Sequence, residues 1–286
     1  TKIINISMNK YYKSNFLSNI IIFCSASIAT FSIPPFSFFF LIFVLGFGIY
    51  LITLRSSLKQ TFIAGWFLGF GWFAFGLYWI GSAFIVTDTY HKVLMPLAIV
   101  ILPSVLAIFW GLACVFAKLL TKKNQSSLFL IIVFLTLFEY LRAKLFTGFP
   151  WLMPSIILSS NEYLIQIFAL VGSFTANLFV FSFSILPFVL ISNFKSKHII
   201  FVLLSIPITI LFFSSFVRFY NKDTEKLDNN LITLVQPNIE QKDKWNLEKR
   251  NDNLNKLTQL SLQNVNQYKD VNRIIIWPET SFEGSI

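Results

Sequence analysis

The sequence predicts a polytopic α-helical membrane domain of about seven spans, followed by the start of an α/β domain. Of its 286 residues, 55% are hydrophobic and only 13% are charged, whereas a soluble domain carries about a quarter charged residues. The net charge of +10 is concentrated before Lys222, and the residues that follow are close to neutral. Beyond residue 230, long apolar runs give way to short strand-like and helical patterns. These observations separate a seven-helix membrane domain, residues 1–218, from an α/β region, residues 231–286.

Seven apolar runs account for the membrane domain, each close to the ~20 residues that a bilayer requires. The runs are 16–33, 36–54, 60–86, 94–120, 127–146, 163–192 and 198–217. Lys2, Lys10 and Lys13 precede the first run, which is typical of a signal anchor or of a cleaved signal peptide.

The lysines and arginines between the runs predict the orientation. With the N-terminus inside, inside segments hold ten of these residues and outside turns hold three, as the positive-inside rule requires. An odd number of spans then places everything after Arg218 outside, and a cleaved first run would leave the same final side. In a bacterium, this predicts a multi-pass protein of the inner (cytoplasmic) membrane, with its α/β region in the periplasm.

Several classes of protein and site are disfavoured. The basic excess lies in the membrane domain, and no basic stripe interleaved with aromatics is present to indicate nucleic-acid binding. Cys24 and Cys114 both lie in apolar runs, which predicts two small buried side chains rather than a disulfide or a metal site. We therefore predict no metal and no cofactor, and the sequence specifies no oligomeric state.

The region after the membrane domain predicts a strand–helix–strand unit. A polar linker, 219–230, precedes a buried strand at 231–235, a helix at 246–268 and a second strand at 274–276. Three β-branched residues in a row predict that the second strand is buried on both faces, and the order predicts parallel pairing. Because two strands cannot bury a core, we expect residues 231–286 to be the first part of a larger α/β domain.

Glu279 is the candidate catalytic residue. It follows Trp277-Pro278 directly after the second strand, and Pro278 ends that strand because it has no N–H to donate. Ligands of open α/β sheets bind at the carboxyl ends of the strands. The alternative interpretation is a solvated loop glutamate.

Two features inside the membrane domain are candidates for function. Glu139 and Arg142 are three residues apart on one helical face and can pair. Ionisable groups at membrane depth are functional candidates, but a structural pair is an equally good interpretation. The glycine- and aromatic-rich segment 65–81 fits close helix packing or, alternatively, a groove that accommodates lipid.

Two further stretches carry aromatic side chains outside regular helices. Residues 147–154 contain two prolines and a glycine, and irregular backbone at a membrane must be buried in protein or line a cavity. Trp245 follows a charged turn after the first strand, which fits an interfacial anchor or the wall of an acyl pocket.

Together these stretches resemble the bacterial apolipoprotein N-acyltransferase family over the whole chain. The resemblance rests on the aromatic segment 65–81 and on three motifs: Leu141-Arg142 followed by Thr147-Gly148-Phe149-Pro150-Trp151-Leu152, Leu234-Val235-Gln236-Pro237-Asn238-Ile239 followed by Gln241 and Lys244-Trp245, and Ile276-Trp277-Pro278-Glu279.

The resemblance implies a nitrilase-like αββα sandwich that catalyses with a glutamate, a lysine and a cysteine. The glutamate corresponds to Glu279, and the lysine and cysteine are expected beyond Ile286, since no cysteine follows Cys114. On this basis the chain is an N-terminal fragment that is inactive alone. The resemblance also suggests substrate contacts for Trp245 and for the Phe149-Pro150-Trp151 stretch.

The activity implied is lipoprotein maturation. A membrane phospholipid donates an acyl chain, through a thioester acyl-enzyme, to the N-terminal amine of a diacylglyceryl-cysteine apolipoprotein, so the implied partners are these two lipids and the bilayer. One alternative is a membrane-anchored nitrilase-type amidase, which needs no lipid-sized mouth. Another is a transporter or a non-catalytic scaffold, which would not explain the α/β region.

Overall fold

The computed structural model describes residues 15–86, 93–121, 128–145, 148–192, 197–221, 230–244, 246–263 and 271–279. The chain divides into two compact units. A helical unit comprises Thr1–Gly81 and Leu94–Lys222, and a second unit comprises Ser82–Val93 and Asp223–Ile286.

Apolar α-helices dominate the first two-thirds of the chain. In chain order they are α1 (Asn15–Ala29), α2 (Ile42–Thr53), α3 (Leu58–Gly76), α4 (Ser82–Val86), α5 (Met95–Leu120), α6 (Leu128–Lys144), α7 (Gln166–Ile191) and α8 (Lys197–Tyr220). Short 3-10 helices cover Thr30–Ser32, Phe39–Leu41, Tyr78–Gly81 and Pro154–Ser160. Each apolar run of the sequence therefore contains a helix, as predicted.

The length of each helix indicates whether it can cross a membrane. Within the described residues, α5, α7 and α8 are long and apolar enough to do so, and a fourth span results if α3 and the bent continuation Tyr78–Ile85 count as one. The apolar stretches Phe16–Ser32 and Phe39–Thr53 are shorter, and α6 is a 17-residue helix. The apolar helical domain is thus confirmed, while the number of seven spans stays a prediction.

The helices of the first unit pack in a closed ring. Helix α1 contacts α2 and α3, α3 packs along α5, α5 contacts α6, α6 contacts α7, and α7 returns to α2. Helix α8 packs on α7, and its own side chains Leu203 and Phe213 are more than 60% exposed. Exposed apolar side chains of this density are expected where a helix faces lipid.

An aromatic cluster fills the interior of this ring. The indoles of Trp72 and Trp110 are stacked with centroids 6.1 Å apart, and Trp110 also contacts Phe73 and Phe181 at 5.4 and 5.8 Å. All four side chains are fully buried. Helices α3, α5 and α7 therefore meet around a single tryptophan.

Small residues allow the helices of the ring to approach closely. A Cβ on Gly69 of α3 would lie 3.0 Å from the Cα of Ala107 on α5, so the backbones meet as the packing interpretation of segment 65–81 predicts. Cys114 is buried as predicted, but Cys24 is exposed. The prediction for Cys24 is wrong because the buried face of α1 carries Ile22 and Ala26, and Cys24 lies on a different face of the helix.

The second unit contains a parallel strand pair, β1 (Asn230–Leu234) and β2 (Asn272–Ile276). Between them lie the short helix α9 (Gln241–Lys244), a 3-10 turn and helix α10 (Arg250–Leu262). The register pairs Leu231 with Arg273 and Leu234 with Ile276, which confirms the predicted parallel pairing. Residues 222–229 of the predicted linker and 264–268 of the predicted helix lie outside the described residues, and α8 continues through Tyr220.

The predicted burial of β2 on both faces is wrong for the described residues. Ile274, Ile275 and Ile276 are 52%, 43% and 47% exposed. The reason is that the sheet has only two strands here, and a two-stranded sheet cannot enclose its own apolar side chains.

Candidate functional site

An irregular stretch after α6, residues 148–152, forms what we call the rim segment. Gly148 has φ +86°, its N–H donates to the carbonyl of Leu145 at 2.9 Å, and a Cβ there would lie 2.3 Å from the carbonyl oxygen of Ala143. Glycine is therefore required for the chain to leave the helix on this path. Pro150 has no N–H, so the rim segment cannot form a regular helix, as predicted. Thr147 lies outside the described residues.

Two charged side chains of α6 form a buried ion pair next to the rim segment. Arg142 Nη2 lies 2.5 Å from Glu139 Oε2, and Arg142 Nε donates to Glu139 Oε1 at 3.2 Å. The side chains are 1% and 0% exposed. The predicted pairing is confirmed, and the two-point geometry is the strong form of the interaction.

The pair also connects α6 to the interior of the helical ring. The indole N–H of Trp110 donates to Glu139 Oε1 at 2.8 Å, so both carboxylate oxygens accept hydrogen bonds. The guanidinium carbon of Arg142 lies 4.9 Å from the centre of the Phe73 ring. A buried carboxylate that accepts hydrogen bonds on both oxygens from its own fold is suited to a structural role.

The remaining guanidinium nitrogen holds the rim segment. Arg142 Nη1 donates to the carbonyl oxygen of Phe149 and, at 3.1 Å, to that of Trp151. The indole N–H of Trp72 donates to the next carbonyl, that of Leu152, at 2.9 Å. Backbone carbonyls that no helix satisfies are thus paired by side chains from α6 and α3, as irregular backbone in an apolar setting requires.

An apolar cavity of about 720 Å³ opens beside the rim segment, within the helical unit. Its volume falls in the range of roughly 300–1,000 Å³ that small-molecule sites occupy. Its walls come from the turn after α1, the end of α3 and the rim segment: Thr30, Phe31, Ile33, Pro34, Pro35, Phe36, Phe75, Gly76, Leu77, Tyr78, Trp79, Pro150, Trp151, Leu152 and Ile156. None of these lining residues carries a formal charge, so the cavity suits a hydrocarbon ligand.

Tryptophans from two different segments form one side of the cavity. The rings of Trp79 and Trp151 are stacked with their centroids 5.0 Å apart, and both are about half exposed. Indoles at the edge of an apolar site suit the boundary between hydrocarbon and water.

The predicted substrate-contact residues divide into three groups. Pro150 and Trp151 line the cavity, whereas Phe149 packs its ring on Trp151 at 5.3 Å and does not line it. Trp245 lies outside the described residues. Both interpretations of segment 65–81 find support, since Gly69 serves helix packing while Gly76, Tyr78 and Trp79 line the cavity.

Sequence reasoning missed two contributions to this site. The turn Thr30–Phe36 forms one wall of the cavity. From the sequence, its prolines predict only a break between two helices. Trp72 and Trp110 hold the rim segment and Glu139 through their indole N–H groups. A tryptophan inside an apolar run is a signal for this role, because its N–H needs a partner when it is buried.

Glu279 lies in the second unit, three residues after the end of β2, and is exposed. The preceding Trp277 is tied down, because its indole N–H donates to Ser261 Oγ on α10 at 2.8 Å. Since β1 and β2 are parallel, their carboxyl ends share one edge of the sheet. Glu279 therefore follows the carboxyl end of β2, the edge at which parallel sheets bind ligands.

Comparisons with known proteins agree with these observations. The family described as apolipoprotein N-acyltransferase N-terminal domain matches residues 25–186. The chain is 31% identical over 235 residues to a Rhodopseudomonas palustris protein named apolipoprotein N-acyltransferase, covering 80% of the chain and 44% of the relative. It is 30% identical over 282 residues to the Brucella melitensis protein of that name, covering 91% and 51%.

A Rickettsia bellii apolipoprotein N-acyltransferase is 30% identical over 235 residues, which cover 81% of the chain and 45% of the relative. The chain spans about half the length of the curated relatives it matches. The family match covers more than half of the chain and includes α2, α3, α5 and α6. The chain belongs to the apolipoprotein N-acyltransferase family.

Proposed function

We propose that the protein containing this chain transfers an acyl chain from a membrane phospholipid to the N-terminal amine of a diacylglyceryl-cysteine apolipoprotein. Family membership supports the reaction. The observation that carries it is the uncharged cavity of about 720 Å³ behind Trp79 and Trp151, since a hydrolase of small amides needs no hydrocarbon-lined space of that size.

In this proposal, the helical unit binds the lipid tail and the rim segment borders its entrance. Trp151 and Pro150 line the cavity and contact the substrate. The Phe149 ring packs on Trp151, and by family resemblance Trp245 also contacts the substrate. A lipid reaches such a site sideways from the bilayer without exposing its tail to water, which avoids the cost of about 0.8 kcal/mol for each exposed methylene.

Glu279 is the general base of the proposed reaction. A cysteine thiol gives its proton to this carboxylate, and the thiolate attacks the ester carbonyl of the phospholipid and forms a thioester. The glyceryl oxygen leaves and takes the proton back from Glu279, which releases a lysophospholipid and restores the carboxylate. The lipoprotein amine then attacks the thioester, gives its proton to Glu279 and regenerates the thiol. The family implies that this cysteine, and a lysine that stabilises the oxyanion, belong to a nitrilase-like domain that begins with β1 and β2.

The membrane placement follows the charges of the loops. The excess of lysine and arginine between apolar runs supports a periplasmic location, at the bacterial inner membrane, for the residues after Arg218. Apolipoprotein and phospholipid would then meet the enzyme on the face where both are available.

The test is acyl transfer by the full-length protein in phospholipid vesicles that contain a diacylated lipopeptide. We expect a third acyl chain on the lipopeptide amine, detected by mass spectrometry. Glu279→Gln should lower the rate by about 10²–10⁴-fold, the contribution typical of a general base. Glu248→Gln is the matched control, because Glu248 is also an exposed glutamate of the second unit, and it should leave the rate unchanged.

Two results would contradict the proposal. One is a normal transfer rate in the Glu279→Gln variant. The other is release of ammonia from small amides without any transfer to the lipopeptide, which would favour the amidase alternative.

A further inference from the structure

The cavity beside the rim segment has a wide mouth and a buried floor, since nine of its fifteen lining residues are exposed. Three residues that line the mouth are strongly exposed: Tyr78 at 67%, Trp79 at 46% and Trp151 at 50%. Four other lining residues are almost fully buried: Thr30 at 7%, Ile33 at 8%, Leu77 at 2% and Leu152 at 6%. The four buried side chains therefore form the floor, against which the end of a hydrocarbon tail can pack.

Leu152 is the member of the buried group whose placement is most tightly determined. Its carbonyl accepts a hydrogen bond from Trp72 Nε1 at 2.9 Å, and the preceding carbonyl, that of Trp151, accepts one from Arg142. Its φ is +59°, an uncommon conformation for leucine that persists only when surrounding contacts impose it. The backbone therefore cannot shift to let the side chain retreat.

Gly76, the last residue of α3, supports the Leu152 side chain from behind. A Cβ on Gly76 would lie 2.1 Å from Leu152 Cδ2 and 2.7 Å from Leu152 Cδ1. The leucine methyl groups thus rest directly on the glycine backbone. Any larger residue at position 76 would displace them, and both residues line the cavity.

We propose that Leu152 and Gly76 together determine the length of the phospholipid acyl chain that the enzyme transfers. This inference rests on the proposed function and adds a selectivity for donor chain length to it. The donor's tail is the occupant because transfer separates that one chain from its headgroup, so it must be held alone. The two chains of the acceptor stay joined to their glyceryl group.

The expected effects follow from the side-chain volume at the floor of the cavity. Leu152→Ala removes most of a leucine side chain and makes room for about two methylenes, and each buried methylene contributes roughly fourfold to binding. The rate with stearoyl donors relative to palmitoyl donors should therefore rise on the order of 10-fold. Gly76→Ala pushes Leu152 into the cavity and should lower the same ratio by roughly fourfold.

The experiment measures transfer by the full-length protein with phosphatidylethanolamine donors that carry myristoyl, palmitoyl or stearoyl chains. The acceptor lipopeptide is held constant, and in a second series its own two chains are varied while the donor is constant. Leu158→Ala is the matched control, because Leu158 is fully buried in the following 3-10 helix but does not line the cavity. The control should keep the wild-type chain-length profile even if its stability falls.

A shift of the donor profile in opposite directions for Leu152→Ala and Gly76→Ala supports the proposal. An unchanged donor profile in an active variant overturns it, and so does a shift that follows the acceptor's chains instead. If Leu152→Ala does not fold, Gly76→Ala alone decides the outcome, with Leu152→Met as a volume-conserving variant that should behave as wild type. Absence of transfer by the wild-type protein with every donor would instead refute the proposed function.

Discussion

Two segments of this chain contain a tryptophan next to a proline, and each has a glutamate nearby. Different hydrogen bonds stabilise the two segments. In the helical unit, Arg142 donates a hydrogen bond to the carbonyl of Trp151 in the Pro150-Trp151 segment. The fully buried Glu139 balances the charge of Arg142. In the second unit, Trp277-Pro278 is anchored through an indole hydrogen bond to Ser261, and the glutamate that follows is exposed.

The difference separates a carboxylate that serves structure, Glu139, from the one that we propose as the base, Glu279. Glu139 accepts hydrogen bonds on both oxygens from Trp110 and Arg142 and is fully buried, which gives it a structural role. Glu279 lies exposed at the carboxyl edge of a parallel strand pair. In the sequence both residues are charges next to apolar runs, and the structure distinguishes them by burial and by hydrogen bonds.

The largest effect on stability should come from removing Arg142. Arg142→Ala leaves Glu139 buried without its counter-charge and the rim carbonyls without a donor, which typically costs about 3–5 kcal/mol. Chemical denaturation of the full-length protein in detergent micelles measures the loss. A loss below about 1 kcal/mol would show that the pair does not hold the rim segment.

A smaller loss should follow when both charges are removed together. Glu139→Gln combined with Arg142→Met leaves no buried unpaired charge, and neutral replacement of a buried pair costs far less than breaking it. The unfolding free energies of the two single variants and the double variant form a double-mutant cycle. Additive losses would contradict a direct interaction between these side chains.

Removal of the Trp72 hydrogen bond should have an intermediate effect. Trp72→Phe keeps an aromatic ring against Trp110 but leaves the Leu152 carbonyl, which is buried, without its donor, at a cost of about 1–3 kcal/mol. Trp66→Phe is the control, because the Trp66 N–H also donates to a backbone carbonyl, that of Ser104, away from the rim segment. The two variants should differ in lipid transfer and not only in stability.

The smallest effect on stability is expected at Glu279. Glu279→Gln changes an exposed side chain, and such substitutions usually stay within about 0.5 kcal/mol, although we expect this variant to lose transfer activity. The same denaturation assay compares it with Arg142→Ala. A destabilisation as large as that of the arginine variant would give Glu279 a structural role and remove the contrast between the two segments.

Much of this architecture follows from local sequence patterns. The apolar runs predict the helices because a helix satisfies its own backbone wherever the surroundings are apolar. The pairing of Glu139 with Arg142 follows from their spacing on one helix. The parallel strand pair follows from the strand–helix–strand order.

The rest depends on contacts between segments that are distant in sequence. No local pattern shows that Arg142 reaches the carbonyl of Trp151, or that Trp72, 80 residues earlier, donates to Leu152. The predicted burial of Ile275 is wrong for a related reason. Three β-branched residues indicate a strand that needs covering, but whether it is covered depends on neighbours that the strand itself does not specify.

The most direct test of the account is photolabelling of the full-length protein by a phospholipid with a diazirine near the end of its acyl chain. If the cavity holds the tail, labelled peptides should concentrate at Leu152, Gly76 and Ile33, and Arg142→Ala should abolish that enrichment by releasing the rim segment. Leu203, which is highly exposed on α8, reports the background from bilayer lipid. Labelling of the cavity residues no higher than that of Leu203 would contradict the account.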